Sequence, residues 1–250
     1  MSPSEDLPTV QRPHALRHLY AAYALAAFGL LAVVALLLIL PVPWLALRRR
    51  IARRFARIAL AACGMRLSVM HPERLGPEPC IVVANHCSYL DGIVLYAALP
   101  PTFGFVIKRE MSRVPLANLL LRRIGAHYVD RNRGAKGARD ARKLLRQAKS
   151  GGALAFFPEG TFGREPGLMR FRSGAFAIAA RSRLPIVPVA IRGTRAALPA
   201  GTLLPWPGRI EIELAPVQPA PESTSDEHVH AALNSARAAI LQRIPDPDLA

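Results

Sequence analysis

The chain has 250 residues, 51% of them hydrophobic, and a formal net charge of +16 at pH 7. That length suits one core-forming domain with an appendage, and so strong a basic balance attracts polyanions or the acidic face of a bilayer without choosing between them. Three cysteines, Cys63, Cys80 and Cys87, in no paired or metal-type spacing exclude a disulfide framework and suit a reducing compartment, with Cys63 and Cys80 as small core residues.

In chain order, residues 1–18 form a polar, Pro-containing lead expected to be disordered. His14 and His18 are four apart but have no carboxylate or thiolate nearby, so they do not read as metal ligands. Residues 19–47 carry no charge, and their core AAYALAAFGLLAVVALLLIL is long enough for the roughly 30 Å hydrocarbon layer, which predicts one transmembrane helix. Pro41 and Pro43 end or kink it, with Trp44 at the interface. Residues 48–65 form a basic helix next. Arg48, Arg49, Arg50, Arg53, Arg54 and Arg57 place the chain from residue 48 onward in the cytoplasm by charge asymmetry, while Ile51, Phe55, Ile58 and Ala62 at helical spacing predict a helix lying on an anionic membrane surface.

From residue 66 to 250, short apolar runs alternate with helical patterns. The expectation is an α/β domain with a central, mostly parallel or mixed sheet flanked by helices, behind the N-terminal transmembrane or interfacial anchor. Residues 80–84, 126–130, 153–157, 186–191 and 209–214 read as strands, and helices are expected near 91–99, 114–124, 136–149, 173–182 and 225–243. Gly151 and Gly152 stop the third of these helices, and Thr224 with Glu227 forms a capping box for the last.

The strand CIVVA runs into Asn85-His86-Cys87-Ser88-Tyr89-Leu90-Asp91, at the carboxyl end of a strand where α/β proteins concentrate function. On a continuous helix His86 and Asp91 would diverge by about 140°. With Ser88 capping a helix that starts at Tyr89, the chain folds back and the carboxylate reaches the ring, fixing its tautomer and leaving the other nitrogen free to take a proton from an alcohol. Cys87 would project away as a sequence neighbour and is not expected to be a nucleophile. The strand ALAFF leads into Pro158-Glu159-Gly160-Thr161-Phe162, where Gly160 lets backbone N–H groups approach a ligand and Glu159 can accept from substrate hydroxyls. No zinc, P-loop or dinucleotide signature occurs, so no metal or cofactor is expected.

Together these segments resemble the glycerophospholipid acyltransferases, especially bacterial 1-acylglycerol-3-phosphate acyltransferases. NHCSYLD is similar to their NHxxxxD block, FPEGT to their FPEGTR block, and Pro185–Val189 to their last apolar-Pro block; residues 104–110 and 128–132 resemble the intermediate one. The resemblance implies His86 as general base, Asp91 as its orienting partner, and direct attack of a lysophospholipid hydroxyl on the thioester of acyl-CoA or acyl-carrier protein. It also implies acceptor contacts from Asn85, Lys108, Arg131, Glu159, Gly160 and Thr161. The family's Arg after FPEGT is replaced here by Phe162, so Arg164, Arg170 or Arg172 is expected to supply the cation, and a lyso-aminolipid stays open as an alternative acceptor. A reading from another class, a non-enzymatic basic protein gripping nucleic acid or lipid through helix 136–149, competes on charge alone; the spanning segment and the lack of any recognition module argue against nucleic acid.

Overall fold

The structure, a computed structural model, describes residues 14–130 and 135–250. Helix α1 (His14–Ile39) turns at the two prolines into α2 (Leu45–Ala62), and strands and helices then alternate. They are β1 (Met65–Met70), β2 (Ile81–Ala84), α3 (Asp91–Ala98), β3 (Gly104–Lys108), α4 (Pro115–Arg123), β4 (His127–Val129), α5 (Ala135–Lys149), β5 (Leu154–Phe156), α6 (Gly174–Ser182), β6 (Ile186–Arg192), α7 (Thr194–Ala197), β7 (Gly208–Leu214) and α8 (Asp226–Leu241). One seven-stranded sheet results, in the order β1-β7-β6-β2-β5-β3-β4. It is mixed: β2 through β6 run parallel, and only the β6/β7 pairing is antiparallel. The carboxyl ends of β2, β3, β4, β5 and β6 therefore share one edge.

The central strands are buried on both faces. In β2, Val82 and Ala84 pack with Leu60 and Cys63 of the α2 end and Val94 and Leu95 of α3, while Ile81 and Val83 pack with Leu144 of α5, Phe176 of α6 and Ile240 of α8. Each large side chain buried this way stabilises by about 1.5–3 kcal/mol. Helices α2 and α3 thus cover one face of the sheet, with α1 packed on α2, and α5, α6 and α8 cover the other.

The anchor differs from its expected form. Residues 14–18, expected in a disordered lead, already belong to α1; residues 1–13 lie outside the described residues. Helix α1 folds back antiparallel on α2: Tyr23 Oη donates to the Ala62 carbonyl at 3.0 Å near one end, and Ile39 packs with Ala52 at the other. One side of α1 remains apolar and exposed, at Leu19, Leu25, Leu30, Val33 and Leu37. Helix α2 buries Ala52, Ala59 and Leu60 against the domain, so the stripe Ile51, Phe55, Ile58 and Ala62 is not its most buried side. Three of its arginines point inward. Arg53 donates to the Ala98 carbonyl at 3.1 Å, Arg49 to the Ile124 carbonyl at 3.0 Å and Arg48 to the Arg123 carbonyl at 3.2 Å. Those carbonyls close the C-terminal turns of α3 and α4, where a cation is favoured. Arg50, Arg54 and Arg57 alone stay on the exposed side.

Two strands were not expected. Residues 65–70 end the basic run, yet β1 pairs with β7 from Met65 to Met70, and β3 forms within the intermediate motif. Two caps also shift. Helix α8 starts one residue later than the expected box, with Ser225 Oγ accepting from the His228 N–H. Helix α3 starts at Asp91, not Tyr89, and Ser88 Oγ accepts from the Leu90 N–H at 3.1 Å while donating to the Leu198 carbonyl at 2.7 Å.

Candidate active site

Beyond β2 the chain makes a tight turn whose acceptor is the Asp91 carboxylate. This side chain is fully buried, and its Oδ2 accepts from the Cys87 N–H at 2.6 Å, the Ser88 N–H at 2.7 Å and His86 Nδ1 at 2.8 Å. One oxygen therefore shapes the turn and holds the imidazole, and α3 begins without the side-chain cap expected of Ser88. Nδ1 is then the protonated nitrogen, and the opposite nitrogen, Nε2, has no protein partner among the described residues. The His86 side chain keeps 18% of its surface exposed.

Aromatic rings bound the imidazole on two sides. Phe157, at the end of β5, stacks on it with centroids 4.4 Å apart, and Phe162 meets it edgewise at 4.4 Å. Tyr89 supports Phe162 in turn at 4.9 Å. Phe162 thus stands against His86 where the resembling family carries a cation.

Glu159 reaches the same turn from β5. It is buried, with Oε1 accepting from the His86 N–H at 2.6 Å and Oε2 from the Met169 N–H at 2.8 Å. Both oxygens brace backbone, so Glu159 does not present a free carboxylate to substrate hydroxyls as expected. Burial pushes its carboxyl up to about 7, with the two N–H donors opposing the shift. Asn85 departs from its expected role in the same way: its amide pairs with both backbone groups of Ile191, at 2.7 and 3.0 Å, and stitches β2 to β6. Gly160 adopts φ +79°, a left-handed conformation that favours glycine, and its N–H closes a turn on the Phe157 carbonyl at 3.0 Å. Among the described residues the N–H groups of Glu159, Thr161, Phe162 and Gly163 in this loop have no acceptor.

The expected cations are dispersed. Lys108 is exposed at the carboxyl end of β3, on the same edge as His86 but separated from β2 by β5. Arg131 lies outside the described residues. Arg164 is exposed with its guanidinium against Gly201, while Arg170 and Arg172 lie outside the turn around His86, and only the Arg172 backbone N–H, bonded to the Pro158 carbonyl at 2.9 Å, touches the motif loop. The sequence reading missed Arg195. Its Nη1 donates to the carbonyls of Gly163 and Arg164, at 3.2 and 3.0 Å, fixing the loop that carries Phe162. No carboxylate pairs with Arg195 among the described residues. Its signal was positional, because β6 ends on the edge that bears His86 and Gly193 turns the chain there; a Cβ at Gly193 would lie 2.1 Å from the Arg209 carbonyl oxygen.

Cys87 sits beside His86 but is buried, with Sγ 3.3 Å from Thr194 Oγ1. Burial, reinforced by the Asp91 charge, pushes its thiol up to about 12, so no thiolate forms near neutral pH. No group of metal-ligating side chains occurs among the described residues, and His18 belongs to none.

Comparison with known proteins identifies the family and the fold. The acyltransferase family model matches residues 66–192, just over half of the chain and the span from β1 through β6. A 1-acyl-sn-glycerol-3-phosphate acyltransferase of Saccharomyces cerevisiae is 31% identical over 72% of this chain, and one of Chlamydomonas reinhardtii is 30% identical over 80%. The chain spans about 60% of the length of each. The crystal structure of the 1-acyl-sn-glycerophosphate acyltransferase of Thermotoga maritima superposes with a TM-score of 0.74, covering 91% of this chain and 97% of that one at 20% identity, which establishes the shared fold. With the fold, the paired motif loops and the family match in agreement, the chain belongs to the acyltransferase family.

Proposed function

We propose that the protein transfers a fatty acyl group from acyl-CoA or acyl-carrier protein to the sn-2 hydroxyl of 1-acylglycerol-3-phosphate, giving phosphatidic acid, at the cytoplasmic face of the inner membrane. The observation that carries the reading is the buried Asp91 carboxylate 2.8 Å from His86 Nδ1, with Nε2 open. Nε2 takes the acceptor hydroxyl proton as that oxygen bonds the thioester carbonyl carbon, and Asp91 stabilises the imidazolium. The carbonyl π electrons move onto oxygen, for which the open N–H groups of the Glu159–Gly163 loop are candidate donors. Collapse of this intermediate breaks the C–S bond, and the departing thiolate takes the proton back from Nε2. Direct transfer is supported by the Cys87 thiol beside His86, which is buried and stays protonated near neutral pH. The apolar side of α1 suits a lipid acceptor whose chains stay in the bilayer.

Phe162 favours one second reading. With no cation at that position, a lyso-aminolipid is the alternative acceptor for the same chemistry. The deciding experiment is a transfer assay on membranes that crosses several lyso-lipids with both thioester donors, wild type against His86→Ala. The wild type should acylate 1-acylglycerol-3-phosphate, and the variant should lose about 10³-fold or more while staying folded and membrane-bound. Near-wild-type activity in the variant would refute His86 as the base, and transfer confined to an amino-headed acceptor would select the second reading.

A further inference from the structure

Helix α5 lies on the face of the sheet opposite α1 and α2, packed on the core through Leu144 and Ala148. Its solvent side carries Lys136, Arg139, Arg142, Lys143, Arg146 and Lys149, all exposed. At about 100° per residue the six cations occupy an arc of roughly 140° centred opposite Leu144 and Ala148, along about 20 Å of helix. The only acid of the helix, Asp140, is engaged by Arg109 at 2.6 Å and by the Asp130 N–H at 3.0 Å. Among the described residues none of the six has a carboxylate partner. Like charges at i,i+3 and i,i+4 disfavour a helix, so the stripe does not serve the stability of α5.

The position of α5 selects the kind of anion. The outer side of α1, the apolar surface available to lipid, is separated from the outer side of α5 by α2, the sheet and α5 itself. At about 8–10 Å per packed layer this is roughly 30 Å. The Debye length at physiological salt is about 8 Å, so the potential of an acidic bilayer beneath α1 is screened out at this distance. A nucleotide-sized thioester carrier presents a few charges to a pocket and does not match a stripe running the length of a helix. An acidic protein does.

Helix α5 joins the parallel strands β4 and β5, so it runs back against them, and its N-terminal end lies on the edge that bears His86 and Glu159. A partner seated along α5 therefore reaches the catalytic edge. We propose that α5 is the docking surface for an acidic acyl-carrier protein, which delivers the thioester from the side of the domain away from the membrane. This inference rests on the acyl-transfer reading and narrows its donor.

The test compares palmitoyl-CoA with a palmitoylated acyl-carrier protein as donors for the full chain and for the triple variant Arg139→Glu, Arg142→Glu, Arg146→Glu. The variant should raise KM for the carrier-protein donor at least tenfold, leaving KM and kcat with palmitoyl-CoA and binding to phosphatidylglycerol vesicles within twofold. Added salt should raise the wild-type KM for the carrier protein far more than that for palmitoyl-CoA. The proposal is overturned if both donors suffer equally, if neither responds, or if the wild type uses palmitoyl-CoA and rejects the carrier protein. Lost vesicle binding without donor discrimination would assign α5 to the bilayer instead. Failure of wild type with both donors would take down the acyl-transfer reading as well, which separates the two failures.

Discussion

Replacing Asp91 by Asn probes the proposed chemistry with least damage to the fold. Asp91 Oδ2 accepts from three donors, whereas Oδ1 has only the Cys87 thiol near it, at 3.9 Å. An Asn that places its carbonyl oxygen at the Oδ2 position keeps all three bonds and loses the charge. At 2.8 Å and an effective dielectric of about 20, a carboxylate and an imidazolium attract by about 6 kcal/mol. With the proton roughly half transferred in the transition state, about half of that is at stake, which at 1.36 kcal/mol per decade is about a 100-fold loss. The expected result is kcat lowered 10²- to 10³-fold, with KM for the acceptor nearly unchanged and a similar melting temperature. Asp91→Ala is the poorer variant, because it orphans two buried N–H groups at about 1–3 kcal/mol each and confounds folding with catalysis. The assay is initial-rate acylation of 1-acylglycerol-3-phosphate in detergent, paired with thermal unfolding. An Asn variant within tenfold of wild type in kcat, at unchanged stability, would refute the claim that Asp91 stabilises an imidazolium.

Glu159 makes stability pH-dependent. Its folded pKa is raised from 4.5 to about 7, so between those values the folded state binds more protons than the unfolded one, and stability falls as pH rises through that window by on the order of 3 kcal/mol. The difference in melting temperature between pH 5 and pH 8 should therefore shrink in Glu159→Gln, and an unchanged difference would show that another group sets it. Removing the Phe162 ring with Phe162→Ala should lower kcat about tenfold, since its contacts with His86 and Tyr89 are worth about 0.5–1.5 kcal/mol each; a loss entirely in KM for the acceptor would make Phe162 a head-group contact instead. Leu30→Glu with Leu37→Glu, both on the exposed side of α1, should move the protein from the membrane pellet to the supernatant, because each charge in the hydrocarbon layer costs about 2.5–3.5 kcal/mol; full retention in the pellet would mean that α1 is not the anchor.

The parts of the structure legible from sequence were those fixed by local chemistry. The alternating Ile210, Ile212 and Leu214 announced β7, and a strand running into a turn and then a helix announced the meeting of His86 with Asp91. What escaped depended on partners far along the chain. Met65–Met70 carries an arginine and continues a basic helical run, and it becomes a strand because β7, some 140 residues later, offers it a ladder. The arginines of α2 read as membrane-facing, since nothing local indicates that the carbonyl ends of α3 and α4 will arrive against Arg48, Arg49 and Arg53. Glu159 likewise looked free because its donors are 73 and 10 residues away.

These long-range partners explain how the part-buried His86 imidazole is kept in one orientation on a turn. Asn85 ties the residue before His86 to β6, Glu159 holds the His86 backbone N–H, and Asp91 holds the next two N–H groups and the ring. All three side chains are buried, and their bonds to backbone draw on β5 and β6 as well as the β2 turn, so the ring is referenced to three strands of the sheet. A buried polar group left unbonded costs about 1–3 kcal/mol, which makes the frame cooperative: loosening one strand exposes an unmet donor elsewhere. In the proposed reaction Asn85 and Glu159 therefore act through the placement of His86, and variants there should lower kcat before they raise KM.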